Sequence, residues 1–182
     1  GPTTQDIVDT GTVLQLKQAF AIVERDTRLV ALELKKLAKQ YQYLPMVGRT
    51  HGMQALPTTF GFKLAVWLDE FVRHLARLKE IKQRVLVGNI SGAICTYASF
   101  GNKGPQVEQR TLELLGLNTP NIGWQSARDR FSEYASIIAL ISGTLGKIGN
   151  EFYNLMRSEI NEIEEPFSEG KIGSSTMPHK RN

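Results

Sequence analysis

Apolar residues recur along this chain in alternating steps of three and four over three long stretches. The first runs Val13, Leu16, Phe20, Val23, Thr27, Val30, Leu34, Leu37, Tyr41, and the second Leu64, Leu68, Phe71, Leu75, Leu78, Lys82, Val85. The third runs Phe131, Tyr134, Ile138, Ile141, Leu145, Ile148, Phe152, Leu155. A 3-4 spacing kept this long predicts helices lying side by side at shallow angles, an all-α long-helix bundle. The first helix is predicted over 6–42, about 55 Å at 1.5 Å per residue, capped in the Thr4/Asp6 region. The second starts at Thr58 or Thr59, just after Pro57. A shorter helix is predicted over 105–115, ending at Gly116, and Pro166 is expected to close the third long helix. The Gly/Ser-rich stretch 88–104 reads as loop with a short irregular or strand-like piece.

The helices offer apolar residues on more than one face. Ile137, Leu140 and Thr144 point away from the main stripe of the third helix. Faces that three helices cannot cover call for partners from other chains, so a homo-oligomer is expected over a monomeric three-helix bundle.

Composition narrows the setting. The 182 residues are 41% hydrophobic and 22% charged, with a net charge of +4. Basic and acidic residues interleave, which gives no nucleic-acid stripe. The most apolar stretch, 137–148, is too short for a membrane span, and no signal-peptide pattern opens the chain, so a cytoplasmic protein is expected. Cys95 is the only cysteine, and His51, His74 and His179 are not spaced as zinc ligands.

Three polar segments carry the chemistry. Residues 173–182, GSSTMPHKRN, combine a Gly, two hydroxyls, a Pro, a fixed cation and an amide. That is loop material suited to an acidic, oxygen-rich small molecule. Residues 48–61, GRTHGMQALPTTFG, sit in the break between the first two long helices and place an imidazole beside backbone donors and a helix start. Residues 1–10, GPTTQDIVDT, open the first helix with acids in its first turn, where the helix dipole favours them.

GSSTMPHKRN resembles the signature loop of the fumarase/aspartase superfamily, of form GSSxMPxKxN. The segments GRTH…A.P.TFG and TTQDIVDT are similar to two further blocks of that superfamily, in the same order. The resemblance runs from residue 1 to 182. It implies that 1–165 is part of the central helical domain and 166–182 the catalytic signature loop, with the N-terminal and C-terminal domains lying outside this chain. It also implies anti β-elimination or its reverse through an aci-carboxylate carbanion, without metal or organic cofactor, on a di- or tricarboxylate substrate. The resemblance makes Ser174 the general base and Lys180 the stabiliser of the aci-carboxylate. His51 and Thr50 would hold a carboxylate or assist the leaving group. Thr3 and Thr4 would hold another carboxylate, with Ser175 and Asn182 also binding substrate. Thr176, Met177 and Pro178 shape the loop, and His179 is either a functional neighbour of Lys180 or a solvent-facing one. In such a tetramer each site gathers blocks from three subunits, so this piece alone is expected to be inactive.

Two branches carry loops of this type. Gln5-Asp6, Ala55-Leu56-Pro57, Ala65-Val66-Trp67 and Trp124 favour a 3-carboxy-cis,cis-muconate cycloisomerase-like enzyme. Ile90-Ser91-Gly92-Ala93, Thr96-Tyr97-Ala98 and Thr50-His51-Gly52 favour adenylosuccinate lyase, which releases fumarate in purine synthesis. A catalytically silent helical scaffold is the third reading. Gln54 and Cys95 depart from both branches and Gln125 from the cycloisomerase pattern, at positions expected to line or adjoin the pocket, so the substrate can differ from either standard one.

Overall fold

A computed structural model describes residues 1–166, 170 and 174–177. The chain divides into two compact units, Gly1–Ile141 and Ser142–Asn182. The elements are α1 (Thr4–Gln40), β1 (Pro45–Thr50), β2 (Met53–Thr59), α2 (Phe60–Val85), a 3-10 turn (Gly101–Lys103), α3 (Gly104–Leu115) and α4 (Asp129–Leu155).

The first unit is built on α1 and α2, which pack along each other. Val13 and Phe20 of α1 join Leu78, Ile81 and Val85 of α2, then Ile90, Leu112, Trp124, Ile137 and Ile141, in one apolar core. The stripe of α1 lies as the periodicity predicts, with Val13, Phe20, Thr27 and Leu34 buried. That of α2 does so only in part. Leu64, Phe71, Leu78 and Val85 are buried as expected, but the intervening positions are Trp67, His74 and Ile81 rather than Leu68, Leu75 and Lys82. Both sets satisfy a 3-4 repeat, and Leu68 and Leu75 sit half-buried on the flank of the face. In α4 the expected seam holds in part: Ile141 and Leu155 are buried, but Leu145 and Phe152 are exposed, and Ile137 and Thr144, expected to face away from it, are buried.

Helix ends follow local chemistry. Thr59 Oγ1 caps α2 by accepting the Phe62 N–H at 3.1 Å. Gly116 ends α3 in a left-handed conformation, φ 62°. The end of α4 corrects the sequence reading: the helix stops at Leu155 rather than near Pro166. Glu162 N–H returns to the Leu155 carbonyl at 3.0 Å, and Asn161 takes φ 48°, a left-handed turn. Glu159, Glu162, Glu164 and Glu165 crowd this segment, where the negative end of the helix dipole disfavours them.

The segment between α1 and α2 is an antiparallel hairpin, pairing Thr50 with Met53 and Pro45 with Thr59. Helical periodicity gave no sign of it. The available signal was His51-Gly52 between two extended runs, a two-residue loop of the kind that closes hairpins. His51 and Gly52 both have positive φ, 51° and 78°. At the base of the hairpin the start of α2 lies close against the end of α1: an added Cβ on Gly61 would stand 2.5 Å from Gln42 Cα.

Candidate functional site

The N-terminal block is held by a buried carboxylate. Asp6 is 0% exposed. Its Oδ1 accepts from Asn89 Nδ2 at 2.8 Å, Gln125 Nε2 at 3.0 Å and the Ser91 N–H at 3.3 Å. Its Oδ2 accepts from the N–H groups of Gly92 at 2.9 Å and Thr3 at 3.0 Å. One side chain thus ties the start of α1 to the Gly/Ser-rich loop and to the segment before α4. Thr10 Oγ1 both donates to the Asn89 carbonyl at 2.9 Å and accepts the Asn89 N–H at 3.1 Å. Asn89 Oδ1 accepts from Ser91 Oγ and from the Trp124 N–H, each at 3.1 Å.

A second carboxylate supports the same loop. Glu108 Oε1 accepts the Ile90 N–H at 2.7 Å and Oε2 accepts from Tyr97 Oη at 2.6 Å. Burial, then that hydrogen bond, push the Tyr97 phenol up to about 12. Asp9, one turn beyond Asp6, pairs with Arg128 at 2.7 Å and accepts from Gln5 at 2.8 Å. The Arg128 guanidinium also lies over the Trp124 and Phe131 rings, 5.9 and 5.7 Å from their centroids.

On this frame Thr3 is half-buried in extended backbone, φ -94°, and Thr4 is exposed as the first residue of α1. Thr50 and His51 form the exposed tip of the hairpin. The two pairs are not brought together within the chain. Thr3 and Thr4 start α1, whereas the hairpin follows its far end, and a helix of 37 residues spans about 55 Å.

In the second unit, Ser174 is half-buried, Ser175 exposed, and the Met177 N–H donates to Ser174 Oγ at 3.1 Å. Lys180 and Asn182, with Pro178, His179 and Arg181, lie outside the described residues. Among the described residues no group of His, Cys, Asp or Glu is arranged to hold a metal, and no helix is long and apolar enough to cross a membrane.

Sequence reasoning placed Asp6 in the cap of the first helix, where it does hold the Thr3 N–H, but missed its long-range bonds and the roles of Asp9, Glu108 and Arg128. A signal existed: Asp6, Asp9, Thr10 and Val13 continue the buried stripe of α1 at 3-4 spacing, so the stripe turns polar at its N-terminal end. Polar residues on a buried stripe need partners, and here those partners are the loops that surround the block. Of the three departures, Gln54 is exposed on β2. Cys95 takes φ 62° and leaves no room for a Cβ on Gly123, whose added atom would stand 2.3 Å from Cys95 Cβ. Gln125 donates to both Asp6 and the Gly92 carbonyl, the latter at 2.8 Å.

An N-acetyl-S-(2-succino)cysteine lyase of Dickeya dadantii is 81% identical over 182 residues, all of this chain and 40% of the relative. An adenylosuccinate lyase of Pyrococcus abyssi is 48% identical over the whole chain and 41% of its own length. The crystal structure of 3-carboxy-cis,cis-muconate lactonizing enzyme from Pseudomonas putida superposes with a TM-score of 0.93 at 43% identity, covering 100% of this chain and 40% of that one. The chain therefore spans about 40% of the length of the relatives it matches. The profile of the family described as Lyase matches residues 1–182, and the chain belongs to that lyase family, within the fumarase/aspartase superfamily.

Proposed function

We propose that the full-length protein is a lyase that releases fumarate from an S-succinylated thiol of the N-acetyl-S-(2-succino)cysteine type. The observation that carries this reading is the 81% identity to the Dickeya dadantii lyase over every residue of the chain. A second such lyase, of Enterococcus italicus, is 76% identical. In the proposed reaction Ser174 removes the proton from the succinyl methylene, and the electron pair moves into the adjoining carboxylate. The double bond then forms as the C–S bond breaks, giving fumarate and the thiolate, which takes up a proton.

The difficult species is the doubly charged aci-carboxylate, which Lys180 and backbone N–H groups are proposed to stabilise. A serine acts as base only when its alkoxide is held by donors, and the Met177 N–H on Ser174 Oγ is one such donor. Thr3 and Thr4 are assigned to one carboxylate, and Thr50 and His51 to the other or to the leaving group. Ser175 and Asn182 complete the binding set. With Thr3 and Thr4 at one end of α1 and Thr50 and His51 beyond the other, the site is proposed to draw on three copies of the chain in a cytoplasmic tetramer. The 182-residue piece alone is then inactive.

The residue tally that favours a cycloisomerase-like substrate has the Pseudomonas putida structural likeness behind it, and adenylosuccinate the 48% relative. All three substrates belong in one assay. The full-length protein is expected to form fumarate and a free thiol from N-acetyl-S-(2-succino)cysteine, followed by fumarate absorbance and thiol titration. Ser174→Ala should lower that rate by about 10²–10⁴-fold. Turnover of adenylosuccinate or the carboxymuconate substrate in place of the thioether would overturn the substrate assignment, and full activity of Ser174→Ala would remove the assigned base.

A further inference from the structure

We infer that Asp6 is a positioning residue for substrate binding: its carboxylate fixes the Thr3–Thr4 segment in the geometry that receives a substrate carboxylate. The inference rests on the proposed role of Thr3 and Thr4. Thr3 precedes α1 in extended backbone, and its N–H is held by Asp6 Oδ2 at 3.0 Å. The Asp6 N–H in turn donates to the Thr3 carbonyl at 3.1 Å. The segment's orientation therefore depends on a side chain three residues further on, itself immobilised by Asn89, Ser91, Gly92 and Gln125.

The chemistry requires a carboxylate. Three donors converge on Oδ1 and two on Oδ2, all of them neutral N–H groups. An amide in place of the carboxylate offers one accepting atom. Its NH2 must then face either the three donors or the two, and the second orientation loses less. Asp6→Asn is thus expected to keep Asn89, Ser91 and Gln125 but to set N–H against N–H at Thr3 and Gly92. It is a near-isosteric change that selectively releases the Thr3–Thr4 segment.

The test uses the full-length protein and two readouts. In Asp6→Asn, the amide protons of Thr3 and Gly92 should exchange about ten-fold faster or more, while those in the middle of α2 stay unchanged. KM for the succinylated thiol should rise about ten-fold with kcat within about three-fold, the pattern of lost binding common to ground and transition states. Fumarate as a product inhibitor should weaken in parallel.

Should Asp6→Asn fail to fold, Thr3→Pro removes the same N–H, and Thr3→Val keeps it while removing the hydroxyl. Thr3→Pro must then raise KM more than Thr3→Val. Unchanged exchange at Thr3 overturns the inference whatever the substrate proves to be. Faster exchange with an unchanged KM, or equal effects of Thr3→Pro and Thr3→Val, overturns it as well. A wild-type protein inert toward all three substrates would instead sink the proposed function, with the exchange readout still deciding whether Asp6 holds the segment.

Discussion

The two ends of α1 solve different problems. At the N-terminal end, Asp6, Asp9, Thr10, Asn89 and Ser91 are all buried and joined by side-chain hydrogen bonds to loops distant in sequence. At the other end, the hairpin carrying Thr50 and His51 is held by its own ladder, with an exposed tip. The first end reaches its geometry within one chain. The second presents its side chains outward, where a neighbouring copy can meet them. A segment exposed in the single chain is therefore as much a candidate for the site as a buried one, and burial alone would have pointed only to the first end.

The contrast can be broken most forcefully at Asp6. Asp6→Ala leaves a set of buried donors without their acceptor and should destabilise the full-length protein by about 3 kcal/mol or more, measured by denaturant unfolding at fixed protein concentration. Thr50→Ala at the exposed tip should stay within about 0.5 kcal/mol. Equal losses at the two sites would erase the distinction.

Gly61→Ala tests the close approach of α2 to the end of α1 at the base of the hairpin. The new Cβ would meet the backbone of Ala38 and Gln42, with the Ala38 carbonyl oxygen at 2.6 Å. A cost of about 1–3 kcal/mol is expected in the same unfolding experiment. His51→Gly then separates conformation from chemistry. At φ 51° glycine fits without the Cβ penalty, so stability should hold or rise by up to about 1 kcal/mol. If the imidazole takes part in the reaction, kcat/KM should nonetheless fall by about 10²-fold or more. Unchanged turnover would remove His51 from the site.

The smallest effect lies between the ends, at His74. Burial, reinforced by Arg77, lowers its pKa below the ordinary 6.5. The folded chain therefore binds fewer protons here than the unfolded chain. The resulting stability is fully present above pH 6.5 and is lost as pH falls from there through the folded pKa. In a thermal-unfolding series against pH, His74→Leu should flatten that decline relative to wild type.

The long helices were legible because their packing repeats. Val13, Phe20, Leu64, Phe71 and Leu78 could be placed from spacing alone, since each helix buries a stripe. The hairpin was not, because a two-stranded element offers too few residues for a period to stand out and its defining feature is the backbone at His51-Gly52. Thr3, Thr4, Thr50, His51 and Ser174 were marked by motif resemblance. Asp6 was marked only as part of the helix cap and of the Gln5-Asp6 pair, and Glu108 not at all, because their partners (Asn89, Gly92, Ile90, Tyr97, Gln125) become neighbours only after folding. The acids of the first turn were read as complements to the helix dipole, which accounts for their presence but not for their burial.

The length of α1 has a consequence for how this protein can change. A helix is a quantised spacer: one inserted residue lengthens it by about 1.5 Å and turns one end against the other by about 100°. With Thr3 and Thr4 at one end and Thr50 and His51 just past the other, a single insertion would swing one group by more than a quarter-turn relative to its counterpart. Substitutions along the exposed face are cheap by comparison. Variation in α1 should therefore accumulate in residue identity and almost never in residue number.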